Sequence, residues 1–455
     1  MRLIQRISPS FYPLLSFLFA ILSGTVALLI FPIKDGTHLS LIDALFMATS
    51  AVCVTGLSVI DIGAQFTLAG QLTILTLIQL GGLGIMTFSS VLILAFGKSI
   101  SFRSRFVMQD VFTYGPQADF YTILRRVVWL TFSFEAVATL LLFFRFQQQF
   151  DIVTAFYYSL FHAVSAFCNA GFSLFSDSLM SYRGDFLINI TIIILVVIGG
   201  IGFMVLHEVV RAEKARLPLR QSWNKMSLHS KMVLFVTFIL LLGGTVFFLF
   251  SEWTGTLKQL SFPEKLLASF FQSVTPRTAG FNTLDFASMN NLTLLGTITL
   301  MFIGASPGST GGGIKTSSLG VLLALSRARI SGSGHVYAFK RSFSAGTVNL
   351  AFTIFVLSVV IIMVGTGGLL ITEAREIPSS MSRGLFLEML FETCSAFGTV
   401  GLSMGVTSGL SSWGKLLLVL IMYTGRLGPL VIAVAIHPAS TKAKFLYAEE
   451  RVMIG

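Results

Sequence analysis

Four times along this chain a short, half-apolar segment and a glycine-containing turn stand between two long apolar runs. The short segments are 41–52 (LIDALFMATSAV), 152–167 (IVTAFYYSLFHAVSAF), 264–274 (EKLLASFFQSV) and 385–396 (LFLEMLFETCSA). The long runs approach the 20 or so apolar residues that cross a hydrocarbon core of roughly 30 Å, whereas the short ones cannot cross and have the length of re-entrant helices. Their starts carry helix-capping chemistry: Ser40 with Asp43, Asp151, and Ser261 with Glu264 three residues on. After them come Val54-Thr55-Gly56-Leu57, Asn169-Ala170-Gly171-Phe172, Thr278-Ala279-Gly280-Phe281 and Thr399-Val400-Gly401-Leu402. Irregular backbone at membrane depth survives only where it is buried in protein or lines a water-filled path, so four such turns imply a central path.

Composition agrees with a bilayer protein. Of 455 residues, 54% are hydrophobic and 11% charged, with a mean hydropathy of +0.84. The expected fold is an all-α integral membrane protein with eight transmembrane helices, in four span–pore helix–span repeats around a pseudo-fourfold pore axis. The repeats cover 11–100, 120–215, 228–330 and 345–437, with a cytoplasmic tail at 438–455 and no soluble domain attached. Residues 11–31 follow Arg2 and Arg6 like a signal peptide, but the run is too long and Pro32-Ile33-Lys34 offers no cleavage site, so it reads as a retained span.

The net charge of +11 could suggest nucleic acid, yet the cations cluster in alternate linkers. Lys98, Arg103, Arg105, Arg125 and Arg126 form one group, and Arg211, Lys214, Arg216, Arg220, Lys225 and Lys231 another. Arg327, Arg329, Lys340 and Arg341 form a third, and Lys442, Lys444 and Arg451 a fourth. This is the positive-inside pattern, with both termini cytoplasmic and no role in binding nucleic acid. Cys53, Cys168 and Cys394 are assigned to packing, since no spacing points to disulfides or zinc.

A potassium filter stacks rings of backbone carbonyls from loops of the T-V-G-Y-G kind, and Thr399-Val400-Gly401 reproduces its first three residues. The glycines supply backbone angles that side chains disfavour, and the C-terminal ends of the short helices would turn partial negative charge toward a cation. Residues 43–61, 159–182, 270–286 and 391–405 resemble the four pore regions of the Ktr/Trk/HKT superfamily of potassium transporters, most of all the bacterial Ktr membrane subunit, over essentially the whole chain. The resemblance implies that Gly56, Gly171, Gly280 and Gly401 are the filter glycines. It adds Val54, Thr55, Cys168, Asn169, Ala170, Thr278, Ala279, Thr399 and Val400 as their ion-binding neighbours. A serine in place of the first glycine goes with sodium permeation in this superfamily, so Gly56 argues for potassium. The resemblance further implies a homodimer in the bacterial plasma membrane on a cytoplasmic ring of nucleotide-binding regulatory subunits. The chain itself would carry no cofactor; potassium is the cargo, with sodium as the alternative ion, and lipid surrounds it.

The second long run of the third unit is interrupted by Gly304-Ala305-Ser306-Pro307-Gly308-Ser309-Thr310-Gly311-Gly312-Gly313-Ile314-Lys315-Thr316. Glycine at this density and a proline do not hold a helix unaided, and the segment reads as flexible. A phosphate loop would need lysine where Ile314 stands. The resemblance makes 304–316 an intramembrane gate, with Gly304, Pro307, Gly308, Gly311, Gly312, Gly313 and Lys315 in it and Arg426 beside it. An arginine in mid-membrane costs on the order of 2.5–3.5 kcal/mol on insertion scales, so Arg426 should face inward and bond loop carbonyls. Lys315 either repels waiting cations or snorkels to the cytoplasmic face. Arg277 is expected in the outer mouth or behind the filter, and Glu388 and Glu392 as acceptors for filter backbone or partners of Arg277. His162 is expected to pack. A secondary transporter with a broken midplane helix is the rival within transport. A membrane enzyme would want clustered intramembrane His, Asp or Ser, which the sequence does not offer.

Overall fold

The computed structural model describes residues 11–31, 33–95, 120–214, 218–373 and 382–429. The tail 438–455, the ends of the first and last expected repeats, and Lys98, Arg103, Arg105, Arg216, Lys442, Lys444 and Arg451 lie outside them. The first repeat contains α1 (Phe11–Ile30), α2 (Leu41–Val52) and α3 (Leu68–Ala95). The second contains α4 (Phe120–Phe146), α5 (Ile152–Phe167), α6 (Phe186–Ile201) and α7 (Phe203–Lys214), followed by a linker helix α8 (Leu219–Lys225). The third contains α9 (Leu228–Ser251), α10 (Phe262–Val274), α11 (Asn291–Phe302) and α12 (Thr316–Ile330), and the fourth α13 (Ala345–Glu373), α14 (Ser382–Gly398) and α15 (Ser412–Leu427).

The short helices α2 and α5 coincide with the sequence expectation, while α10 and α14 each begin earlier than expected. Ser40 and Asp151 cap α2 and α5 through the N–H of Asp43 and Thr154, and Ser261 with Glu264 forms a capping box on α10. Among the described residues, three stretches are long and apolar enough to cross a membrane: Arg125–Phe146, Leu228–Ser251 and Ala345–Glu373. The pair α6–α7 reaches that length only together, across a 104° bend. The bend is absent from the sequence reading, which gives this repeat an unbroken second span. Among the described residues the fold is helical except for two isolated bridges and a small hairpin, β1 (Tyr337–Ala338) with β2 (Arg341–Ser342), joined through Phe339 and Lys340 at positive φ.

Polar links tie the two long helices of a repeat at one end. Glu252, buried at the end of α9, accepts from Asn290 N (3.1 Å), Asn290 Nδ2 (2.7 Å) and Thr293 Oγ1 (2.6 Å) at the start of α11, and from Thr256 N (3.0 Å). Glu373 does the same for α15 through Ser411 N (3.0 Å) and Oγ (2.6 Å). Arg145 at the end of α4 pairs with Asp185, the N-cap of α6. Lys415 of α15 meets Asp43 of α2 at 2.7 Å, joining the last repeat to the first. Removing a buried acceptor strands several donors at once, so Glu252→Ala should destabilise the fold by about 2–3 kcal/mol and Glu252→Gln by less. Thermal unfolding in detergent checks this, with a lower midpoint expected for both and the larger drop for alanine.

Candidate functional site: a ring of four turns above a folded loop

Each short helix ends in the same backbone sequence. Val54, Asn169, Thr278 and Thr399 all have positive φ (55°, 58°, 68° and 50°), and two residues later Gly56, Gly171, Gly280 and Gly401 do as well (92°, 70°, 78° and 92°). The turn is held from its own helix. The N–H groups of Thr55, Ala170 and Val400 bond to the carbonyls of Ser50, Ser165 and Ser395 at 2.7, 2.7 and 2.8 Å. Ser50 Oγ donates to Leu57 O at 2.7 Å and accepts from Gly56 N at 3.1 Å. Ser165 Oγ donates to Phe172 O at 2.7 Å, and Ser395 Oγ accepts from Gly401 N at 3.1 Å. In the third turn Thr275 takes this place and its hydroxyl donates to Phe281 O. These hydroxyls were missed in the sequence reading, although Ser-Ala six residues before the glycine recurs in three of the four turns.

The four glycines close on one another in chain order. A Cβ on Gly56 would strike Ala170 O, one on Gly171 Ala279 O, one on Gly280 Val400 O, and one on Gly401 Thr55 O. Together the four border a cavity of about 530 Å³ that also touches Asp61, Asp285 and Asn282. In a ring of left-handed glycines this tight, a side chain at any of those positions strains the backbone and shifts the neighbouring carbonyl.

The 303–316 segment packs as an ordered loop against the ring, where the sequence reads flexibility. Ile303 and Ile314 form a parallel bridge, and Ser306 Oγ meets Thr316 Oγ1 at 2.9 Å, so the loop is pinched at its base. Gly312 N donates to Thr399 Oγ1 at 2.9 Å, and Gly311 packs against the Thr278 hydroxyl, which Asn169 bonds at 3.2 Å. Gly304 abuts the backbone of Gly312 and Gly313, and Pro307 and Gly308 abut Gly202. Arg426 donates from Nη1 to Thr310 O and from Nη2 to Gly81 O, so it reaches a loop carbonyl as expected and also grips α3. Lys315 does not snorkel: its Nζ donates to Gly311 O at 2.7 Å and Gly312 O at 3.3 Å, within its own loop.

Of three polar expectations, those for Arg277 and His162 are refined and that for Glu392 is corrected. Arg277 is buried behind the third turn and donates to Thr237 Oγ1 of α9 at 3.3 Å, away from both glutamates. Glu392 accepts from Ser403, from the Met404 backbone and, at 3.0 Å, from Thr407 Oγ1, so its backbone donor lies just past the fourth turn, and its partners are in that segment rather than Arg277. His162 does more than pack: its ring lies 4.8 Å from that of Phe175, and Nε2 meets Ser173 Oγ at 3.0 Å. Cys53 and Cys168 are buried C-caps of α2 and α5, and Cys394 is buried within α14.

The long helices after the turns carry a second repeated pattern: Gly81-Gly82-Leu83-Gly84, Gly199-Gly200-Ile201-Gly202, Gly304-Ala305-Ser306-Pro307 and Gly425-Arg426-Leu427-Gly428. Gly81, Gly199 and Gly425 lie against the carbonyls of Val52, Phe167 and Phe397, near the C-terminal ends of the short helices. In the third repeat Gly304 meets the loop instead.

Half-length helices that converge on a glycine ring, alongside long apolar helices, define a class of helical membrane protein. The chain belongs to the TrkH family of cation transport proteins, whose model matches residues 10–444. It is 42% identical over 427 residues to the Ktr system potassium uptake protein B of Bacillus subtilis, covering 93% of this chain and 92% of that relative. It is 36% identical to the potassium/sodium uptake protein NtpJ of Enterococcus hirae, covering 99% and 97%. The solved structure of the potassium transporter TrkH from Vibrio parahaemolyticus shares the fold, with a TM-score of 0.73 at 21% identity over 95% of this chain and 86% of that one. Gly171→Ala should sharply lower cation uptake into proteoliposomes with protein level retained, because its Cβ would sit 2.7 Å from Ala279 O and its φ is +70°. Gly243→Ala, where a Cβ meets open space, should be neutral.

Proposed function

We propose that the chain is the potassium-translocating subunit of a Ktr-type uptake system, and the observation that carries this is the closed ring of four glycine turns, each behind a helix C-terminus. In this reading the carbonyls of residues 54–56, 168–171, 278–280 and 399–401 replace the hydration shell of a potassium ion. Eight spans in four repeats surround the axis in the bacterial plasma membrane, with both termini cytoplasmic. Flux runs down the electrochemical gradient, where the membrane potential supplies roughly 2.3 kcal/mol per charge per 100 mV. The relatives' names, Ktr system potassium uptake protein B among them, support potassium as cargo.

The 304–316 loop is the gate in this reading. Arg426, bonded to Thr310 O, latches it, and Lys315 stiffens it through its own carbonyls while adding positive charge below the ring. Control comes from a cytoplasmic ring of nucleotide-binding subunits under a homodimer of this chain, docked on the basic linkers, and the nucleotide belongs to that partner. Sodium permeation is the second reading, favoured by the potassium/sodium name of the Enterococcus hirae relative. Gly56 argues against it.

Expression in a potassium-uptake-deficient bacterial strain together with a cognate regulatory subunit should restore growth at low potassium, with less growth when the subunit is omitted, and failure of the pair with protein in the membrane would remove the assignment. Gly56→Ser should lower the potassium-to-sodium uptake ratio; an unchanged ratio counts against the filter. Deleting residues 308–313, or replacing Arg426 by alanine, should raise flux in proteoliposomes that lack any partner. Flux at the parental rate in either variant argues against a latched gate.

A further inference from the structure

A continuous helix through α6 and α7 would bond Phe203 N–H to Gly199 O and Met204 N–H to Gly200 O, four residues back. The structure gives three of those four groups other partners. Phe203 N donates to Gly308 O at 3.0 Å, Thr310 N donates to Gly199 O at 3.3 Å, and Ser306 N donates to Gly200 O at 3.0 Å. Gly202, at φ +96°, makes the 104° bend and lies against Pro307 O. The corresponding Gly81-Gly82-Leu83-Gly84 run lies inside the continuous helix α3, so this sequence pattern tolerates either form.

We infer that the seated loop and an unbroken α6–α7 helix are alternative owners of the same backbone hydrogen bonds, so that helix bending and loop closure form one two-state element. Loop withdrawal leaves Phe203 N–H, Gly199 O and Gly200 O without partners at membrane depth, and the only local remedy is for the helix to close on itself. Closing the helix in turn strips the loop of three anchors. Its far end is held too: Glu208 of α7 accepts from Ser227 N, the N-cap of α9, at 3.0 Å, so motion of α7 reaches the loop through Phe203. The inference rests on the gate reading above for its consequence, but its geometry can be tested without transport.

Gly202→Ala should favour the continuous helix, since alanine is disfavoured at positive φ and gains about 1 kcal/mol over glycine in a helix, roughly a fivefold shift. Spin labels on exposed Ile194 of α6 and Arg211 of α7 should show a longer-distance population grow, and a Ser309→Cys thiol on the loop should label about fivefold faster. Met204→Pro sits in the first turn of α7, where proline is tolerated when the helix is bent but blocks a continuous one, and it leaves the Phe203 N–H to Gly308 O bond in place. It should keep the short distance and, combined with Gly202→Ala, suppress both changes. Faster thiol labelling with no change in distance, or an unchanged rate with a lengthened one, overturns the coupling. If distance and labelling move together while flux stays constant, the coupling stands and the gate reading falls.

Discussion

Backbone polar groups at membrane depth must find partners inside the protein, and everything distinctive in this structure follows from how the chain meets that demand. Four short helices end where a continuous span would have kept its carbonyls paired. The turns that follow are held by the hydroxyls and carbonyls of Ser50, Ser165, Thr275 and Ser395, each reaching forward from the helix that has just stopped. The glycines at 56, 171, 280 and 401 then crowd together because nothing bulkier fits against the neighbouring carbonyl. A ring with its outer bonds fixed and no side chains at its narrowest points leaves backbone oxygen as the chemistry on offer, and backbone oxygen suits a monovalent cation.

Much of this was legible in the sequence because it is local. Capping residues and half-length apolar runs place α2 and α5 to the residue, and the glycine turns align by eye. The interrupted span was legible for the same reason, since its glycine and proline density is a property of adjacent residues. That density also lets the loop approach Thr399 and Gly202 closely, so the segment read as flexible is seated through specific backbone contacts. The partners of Arg277 and Glu392 were hidden because they depend on which elements meet in space. Arg277 turns to Thr237, 40 residues earlier, rather than to an acid that charge pairing alone would choose. The bend at Gly202 was hidden because apolar sequence continues through it, and a Gly-Gly-x-Gly run in a membrane helix reads equally well as close packing.

The repeats are alike where the ring needs symmetry and differ where the loop needs room. The third repeat replaces helix with the 303–316 loop, the second bends away at Gly202 to receive it, and the fourth supplies Arg426 to hold it. Such division of labour is open to four linked repeats and closed to four identical subunits. Four copies of the loop would compete for one space under the ring. Four guanidinium groups at the Arg426 position would face each other in a low-dielectric interior, where like charges several ångströms apart repel by several kcal/mol per pair even at an effective dielectric of about 20. The small residues at the equivalent positions, Gly82, Gly200 and Ala305, leave space for a single guanidinium to bridge Thr310 O and Gly81 O. One loop and one guanidinium thus share the space beside the ring, an asymmetry that a single chain can encode and four identical subunits cannot.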